Sequence, residues 1–559
     1  MRYLLRPYLS EQRLLDGPWP AFERDVARLM TLHGFEGVRI VGGSGDGGAD
    51  ILAVKGGELW VVQCKHTTAS PPPRSAIQEV LAAGATYGAQ RLMIACSRRP
   101  SEAFGAEVQD YRLRGTRIDV AGPTELMHLA QAAPARSPEA RPLRDYQEQA
   151  VGSLADSLAD TGRGFAVLAT GLGKTVVMAE LVGRLFVQRR FPNERVLVLA
   201  HTRDLVSQLH RSFWPQLPTW VPTHQLADGE VPAFWDGVTF ATVQSAANRV
   251  SELPEFDCVL VDEAHHVGAE TFSRVLDGLK PPFVAGVTAT PWRGDGFHIE
   301  QVFGPALVKI GIEDGLRRGF LSEVDYRLLL DNVDWEFVQH ESRHRYSISQ
   351  LNKRLLVPTR DEEAARQIVE VFRQEQRASC LVFSPSIVHA QHFAATLRQF
   401  GLRVDVVTSE LAARDREVVM ASFRRRLLDC LVTVDMFNEG VDVPDVDMLV
   451  FMRATHSRRI FVQQLGRGLR VSPGKGKVIV LDFVSDLRRL AEVLVLDRAI
   501  RREEVERIGL GGRLVQFADA SAGSFLREWV LDQADLFSRE DDPALELPEF
   551  PANGLGGYQ

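Results

Sequence analysis

The sequence predicts a multidomain α/β protein: a small mixed α/β unit, then two parallel sheets, each flanked by helices. Three observations carry this. At 559 residues the chain is too long for a single core. From Leu143 to about Pro291, apolar β-rich runs alternate with helical stretches (FAVLAT, RVLVLAH, VTFATVQS, FDCVLVD, FVAGVTAT). Such alternation builds parallel sheets covered on both faces. After a polar, less periodic stretch it returns at ASCLVFSP, RVDVVTS, DCLVTVD, DMLVFMR and KVIVLDF, which predicts the second sheet.

The first unit opens on PWPAFERDVARLMTLHG, apolar at near-helical spacing, with Gly34 as its stop. ADILAVKGGELWVVQCKH reads as two strands around Gly56–Gly57. A helix after Pro71–Pro73, the strand RLMIACS, another helix and the short strand TRIDVAG complete the unit. Ala132–Pro142 is a linker by its Ala/Pro/Ser/Arg composition. The expected division is therefore 1–130, a linker at 131–142, a first sheet domain at 143–310 and a bridging segment at 311–360. A second sheet domain follows at 361–490, then a C-terminal extension at 491–559, helical at first and mobile at its end.

Hydrophobic content of 45% with 25% charged residues fits a soluble globular chain, and no apolar run is long enough for a membrane span. The N-terminus has no signal-peptide pattern. Five scattered cysteines without a C-x-x-C pair read as buried, reduced thiols of a cytoplasmic protein, with no structural zinc. A net charge of −8 neither supports nor excludes a nucleic-acid partner, because a large protein confines its phosphate contacts to a groove.

The strongest chemical signal is FAVLAT-GLGKT-VVMAELVGRL: a strand, a glycine turn and a helix. Phosphates need backbone N–H donors around them and a lysine to offset their charge. Thr170, Gly171 and Gly173 are the expected cradle, with Lys174 on the β/γ-phosphates of ATP and Thr175 holding Mg²⁺. FDCVLVD stays apolar until Asp262 at the strand's carboxyl end, where α/β sheets place their sites. Asp262 is the second Mg²⁺ ligand, and Glu263 aligns and deprotonates the attacking water. His265 is expected to link this site to the other sheet domain. In FVQQLGRGLR, Arg467 and Arg470 are three apart on one helical face and act with Gln463 on the γ-phosphate as arginine fingers. Gly440 and Asp442 of NEGVDVP couple nucleotide to domain closure.

These motifs, in this order and with the short A-T-G-x-G-K-T form, resemble the superfamily 2 helicases, closest to the DEAH-type motors of restriction enzymes and repair. Leu168 stands where the longer phosphate-loop pattern has its first glycine. The resemblance spans Leu143 to roughly Phe483 and implies two RecA-like domains. It also implies that Gln147 of LRDYQEQA contacts adenine and Arg144 stacks on it. It implies backbone contacts to one nucleic-acid strand from Thr202, Arg203, Gln244 and Ser245, and on the second sheet from Ser384 and Thr408.

The first unit carries a second chemistry. With Gly56–Gly57 at the hairpin centre, Asp50 falls opposite Gln63, and Lys65 lies two residues on, on the same face. An acid, an amide carbonyl and a lysine at one hairpin end suit Mg²⁺ binding and phosphodiester hydrolysis, and Glu23 on the preceding helix reaches the same metal. Lys65 polarises the nucleophile or steadies the developing charge. FE…GSGDGGAD…QCK, from about Pro20 to Leu129, resembles the Mrr-like branch of the PD-(D/E)XK nucleases. Gln63 departs from the usual acid there and lowers the negative charge, Asp46 fixes the glycine loop, and Gln78 on the next helix is a candidate support.

The resemblances together imply an ATP-driven DNA helicase or translocase joined to a Mg²⁺-dependent endonuclease, in restriction-like defence; the chain shows no obvious target-recognition domain, which leaves specificity to a partner subunit or to DNA ends and structure. Two other readings stay open: a DNA-stimulated repair ATPase whose first domain binds without cutting, and an RNA-dependent ATPase. Target sequence, polarity and oligomeric state are not in the sequence.

Overall fold

The computed structural model describes residues 7–41, 48–266, 270–289, 298–329, 361–434, 446–452 and 477–483, with short strand pieces at 332–333, 345–347, 356–357, 515–516 and 544–546. Internal contacts divide the chain into two units: Met1–Leu168 with Gly173–Lys309, and Ala169–Leu172 with Ile310–Gln559.

The first unit holds two sheets. In the smaller, β1 (Glu36–Ile40), β2 (Ile51–Lys55), β3 (Glu58–Lys65), β4 (Arg91–Cys96) and β5 (Ile118–Ala121) lie in sequence order. β1 to β3 are antiparallel, and β3 to β5 are parallel. Alternation sorts the β2–β3 side chains between two cores. Ile51, Ala53, Val62 and Cys64 pack under helix Trp19–Leu32 with Phe22, Val26 and Met30. Leu52 and Val61 turn the other way, to helices Ser75–Tyr87 and Glu102–Leu113, meeting Ile77, Val80, Phe104 and Val108. Lys55 pairs with Glu58, so the hairpin turns at Gly56–Gly57 as its sequence predicts.

The larger sheet has the order β12-β6-β11-β10-β7-β9-β8. Its strands are β6 (Arg163–Leu168), β7 (Arg195–Ala200), β8 (Thr223–Leu226), β9 (Gly237–Thr242), β10 (Cys258–Asp262), β11 (Phe283–Thr288) and β12 (Ala306–Ile310). The neighbours from β6 to β8 pair in parallel. The five apolar runs supply its centre. β8 and β12 escape the sequence because THQL and ALVKI are short, part-polar edge strands.

In the second unit the order is β18-β19-β17-β20-β21-β13-β22, again parallel. β17 (Cys380–Phe383), β18 (Val404–Val407), β19 (Cys430–Thr433), β20 (Met448–Phe451) and β21 (Lys477–Asp482) are the predicted runs. Val382, Val432, Val450 and Ile479 bury against Ile368, Phe372, Phe393 and Leu397 of helices Asp361–Gln374 and Ile387–Gln399.

The expected bridge at 311–360 is corrected here: β13 (Glu323–Leu329) comes from within it and pairs in parallel with β21. Its alternating charges hide the strand, because they form a local network. Asp325 takes a hydrogen bond from Arg327 at 2.8 Å and one from Lys477 of β21 at 3.1 Å, and Arg327 also reaches Glu375 at 2.6 Å. Two short strands are described in the C-terminal extension, β22 (Val515–Gln516) and β23 (Ala544–Glu546); the stretch expected to be helical at its start lies outside the described residues. All five cysteines are buried and unbridged. Among the described residues no helix is long and apolar enough to cross a membrane.

Candidate active sites

The nucleotide-site residues gather at the carboxyl end of the larger first-unit sheet. β6 leads through the glycine turn into helix Lys174–Val187, whose N-terminal N–H groups are free of intrahelical partners and suited to phosphate. Gly173 requires its glycine: its φ is +80°, and a Cβ there would stand 2.5 Å from Gln147 Nε2. Gln147 sits on helix Asp145–Thr161, and its Oε1 accepts from Arg144 N at 3.0 Å. The residue expected at adenine is thereby seated against the phosphate turn.

Asp262, 7% exposed, closes β10. Glu263 follows at φ +49°, a left-handed conformation uncommon outside glycine and recurrent at functional sites. That conformation directs its carboxylate to Lys174, with Nζ to Oε1 at 2.5 Å, both side chains largely buried. His265, expected to link this site to the other sheet domain, makes local contacts within the first unit. Its Nδ1 lies 2.8 Å from Thr288 Oγ1 on the adjacent β11 and 3.4 Å from Glu263 Oε2. Thr175 at the helix start and Asp262 are oxygen donors of the kind Mg²⁺ takes. Gly440, Asp442, Gln463, Arg467 and Arg470 lie outside the described residues, as do Asp46, Thr290 and Pro291.

The second site stands at the end of the β2–β3 hairpin. Ile51 pairs with Val62, which sets Asp50 opposite Gln63 in the expected register. Asp50 Oδ2 accepts from Gln63 Nε2 at 2.6 Å and from Cys64 N at 2.5 Å. Asp50, Gln63 and Glu23 are all buried. Burial pushes the Cys64 thiol well up, and the carboxylates of Asp50 and Glu23 push it further. Among the described residues no group of three His, Cys, Asp or Glu side chains is placed to hold a metal. The wider set of two carboxylates and one amide does fit a hard divalent cation, because Gln63 Oε1 is buried without a hydrogen-bond donor.

Lys65 Nζ is held by Glu79 Oε2 at 2.5 Å. Sequence reasoning chose the neighbouring Gln78 instead, and that is corrected: Gln78 points outward to the Tyr111 hydroxyl at 2.9 Å. The signal for Glu79 was available, since Ala76, Glu79 and Ala83 share one helical face and the charge interrupts an apolar stripe. The backbone of Glu79 also lies close to Gly48. A Cβ on Gly48 would stand 2.6 Å from its carbonyl oxygen.

The expected strand-contacting residues divide by exposure. Thr202 caps helix Arg203–Phe213, accepting from Leu205 N, and Arg203 is exposed and paired with Asp228. Gln244 is exposed beside Asn248, and Ser245 is capped by Thr242. Ser384 is 1% exposed, with Oγ 2.7 Å from His389 Nδ1 and 3.2 Å from the Ser386 carbonyl. Thr408 is likewise buried.

Comparison with known proteins assigns these regions. Residues 14–128 match a family described as "Restriction endonuclease", 141–293 one described as "Type III restriction enzyme, res subunit", and 363–472 the "Helicase conserved C-terminal domain". The chain is 25% identical to "Putative ATP-dependent helicase IRC3" of Saccharomyces cerevisiae, covering 61% of this chain and 51% of that protein. It is 26% identical to "DNA 3'-5' translocase XPB2" of Sulfurisphaera tokodaii, over 59% of this chain and 78% of the relative. With the "Type I restriction enzyme EcoKI endonuclease subunit" of Escherichia coli it shares 24% identity over 65% of this chain and 36% of that one. The chain thus spans about half the length, or less, of two of these three relatives. The "ATP-dependent Type ISP restriction-modification enzyme LlaBIII bound to DNA" shares the fold at a TM-score of 0.50 and 16% identity, covering 92% of this chain and 41% of that one. The chain therefore joins an Mrr-like restriction-endonuclease domain to the two RecA-like domains of a superfamily 2 helicase.

Proposed function

We propose that this protein is an ATP-driven DNA helicase or translocase that carries a Mg²⁺-dependent endonuclease and acts in restriction-like defence against foreign DNA. One observation carries the reading: the Lys174–Glu263 pair and the Asp50–Gln63–Lys65 hairpin end occur in the same compact unit. In the motor, Lys174 takes the β/γ-phosphates, Glu263 takes the proton of the attacking water, and Thr175 and Asp262 hold Mg²⁺, which offsets phosphate charge. Arg467 and Arg470 complete the γ-phosphate contacts, Gln147 and Arg144 hold the base, and Thr202, Arg203, Gln244 and Ser245 follow the DNA backbone. In the nuclease, Asp50, Gln63 and Glu23 hold the cation and Lys65 steadies the charge that develops on the scissile phosphate. The domain division proposed is 1–130, 143–310 and 361–490, with β13 added to the last. The names of the restriction-enzyme relatives support the defence context.

A second reading has its own support. Gln63 replaces a carboxylate and Lys65 is engaged by Glu79, which suits a domain that binds DNA without cutting. Incubation with linear, circular, nicked, forked and methylated DNA and with RNA, with and without ATP, scored for cutting and phosphate release, separates the readings. DNA-stimulated ATPase with ATP-dependent cutting is the expected result. Stimulation without cutting under Mg²⁺ or Mn²⁺ selects the second reading, and stimulation by RNA alone defeats both.

A further inference from the structure

We propose that the nuclease domain is not a tethered module but is clamped to the first motor domain, and that ATP-dependent cutting requires the clamp. The consequence for cutting rests on the function proposed above; the clamp itself does not. Trp214 follows helix Arg203–Phe213 of the motor, yet its ring belongs to the apolar core of the nuclease with Phe22, Val26 and Met30, and it is 1% exposed. Its Nε1 reaches back to Thr223 Oγ1 at 3.3 Å, which fixes the ring from the motor side.

Three arginines of the nuclease complete the grip. Arg28, fully buried, donates from Nη1 to the Val221 carbonyl at 2.6 Å and stacks its guanidinium over Tyr8 at 4.4 Å. Arg24 pairs with Glu230, one bond being 3.1 Å, and both side chains are largely buried. Arg13 pairs with Asp236 at 2.5 Å and lies over Phe234 at 4.7 Å. Burying a guanidinium is costly, and the bonds from Nη1 to Val221 and from Nη2 to the Pro218 carbonyl at 3.4 Å offset part of that cost while Nε has no partner among the described residues, so separating the two domains would take from Arg28 the bonds that compensate its burial. The linker adds to this. Arg141 N donates to Gln216 Oε1 at 2.6 Å, and Gln216 Nε2 returns a bond to the Arg141 carbonyl at 3.1 Å.

The geometry gives the clamp a purpose. The helix that begins at the exposed Thr202–Arg203 end, offered to DNA, finishes at the tryptophan seated in the nuclease. Eleven helical residues form a rod of roughly 16 Å with no joint in it. Nuclease and strand-contacting end therefore move as one body, and the cutting position is set relative to the tracked strand.

The test is a charge exchange. Arg24→Glu faces Glu230 with a like charge, and Arg24→Glu with Glu230→Arg restores the attraction. Amide hydrogen exchange of the full-length protein, over residues 214–221, reads the clamp without any need for catalysis. Arg24→Glu should speed that exchange at least tenfold and lower ATP-dependent cleavage at least tenfold, with DNA-stimulated ATPase within twofold of the wild type. The double variant should restore both. Unchanged exchange in Arg24→Glu, or loss without restoration in the exchanged pair, overturns the clamp. Absence of cleavage by the wild type overturns the functional reading instead, and the exchange rates still decide the clamp.

Discussion

Replacing Gly173 by alanine should weaken ATP binding, and the structure sets the size of the loss. The residue sits at φ +80°, where an alanine is strained by about 1–2 kcal/mol. The new Cβ would also stand 2.5 Å from Gln147 Nε2, too close for any real contact, so that amide must withdraw. Withdrawal breaks its 3.0 Å bond to Arg144 N, worth about 1 kcal/mol. Relaxing either strain turns the N–H groups of the phosphate cradle away from their target. Together these give about 2–3 kcal/mol, a roughly 30- to 150-fold rise in Kd for ATP. Titration of a fluorescent ATP analogue followed by anisotropy measures it. Gln147→Ala in the same background removes the collision, so the two substitutions should be less than additive by about 1 kcal/mol. Binding by Gly173→Ala within twofold of the wild type, or strict additivity in the pair, would refute the proposed contact between the base-reading residue and the phosphate turn.

Lys174→Ala and Glu263→Gln should each lower ATP turnover by about 10²–10⁴-fold, and a phosphate-release assay reads this. Glu263→Gln should bind ATP no less tightly than the wild type, since the phosphate-binding Lys174 is kept. Asp50→Ala should abolish DNA cutting on a gel while the same preparation keeps its DNA-stimulated ATPase. The joint between nuclease and motor should respond to pH through Asp25, which burial pushes up from its ordinary 3.8 to about 6. A carboxyl whose folded pKa is raised contributes stability that is full below 3.8 and is lost as pH rises through 6. Asp25→Asn mimics the protonated form. It should therefore gain on the wild type above pH 6, by at most about 3 kcal/mol, since Asp25 is part-exposed and water screens its charge. The gain should close by pH 4. Urea unfolding followed by tryptophan fluorescence measures the difference, and an equal loss at both pH values would mean the carboxylate is holding its arginine neighbours. His224, pushed down by burial to about 4, has the opposite slope: its contribution is full above 6.5 and fades as pH falls toward 4.

What the sequence could disclose was whatever its local periodicity encodes. β10, β11 and the β2–β3 hairpin are legible because alternating or unbroken apolar runs end in a turn or an acid, and the hairpin count alone sets Asp50 against Gln63. β13 was illegible for the opposite reason. Glu323, Asp325 and Arg327 alternate as a surface strand would, and the burial of Asp325 is offset by Arg327 beside it and by Lys477, 152 residues away. Glu79, the His265–Thr288 contact and Trp214 share that character, since each owes its role to a partner brought in by the fold. The strained backbone at Glu263 shows why such partners matter to chemistry. A left-handed glutamate is unfavourable alone, yet the β10 strand end and the Lys174 ammonium hold it from two sides. A γ-phosphate arriving on Lys174 would compete for the second of these holds and leave the carboxylate to a water. The ion pair is on this account a resting lock on the base. A Glu263→Gln protein, lacking that competitor, should then bind ATP more tightly than the wild type; weaker binding would show that the lock is not there.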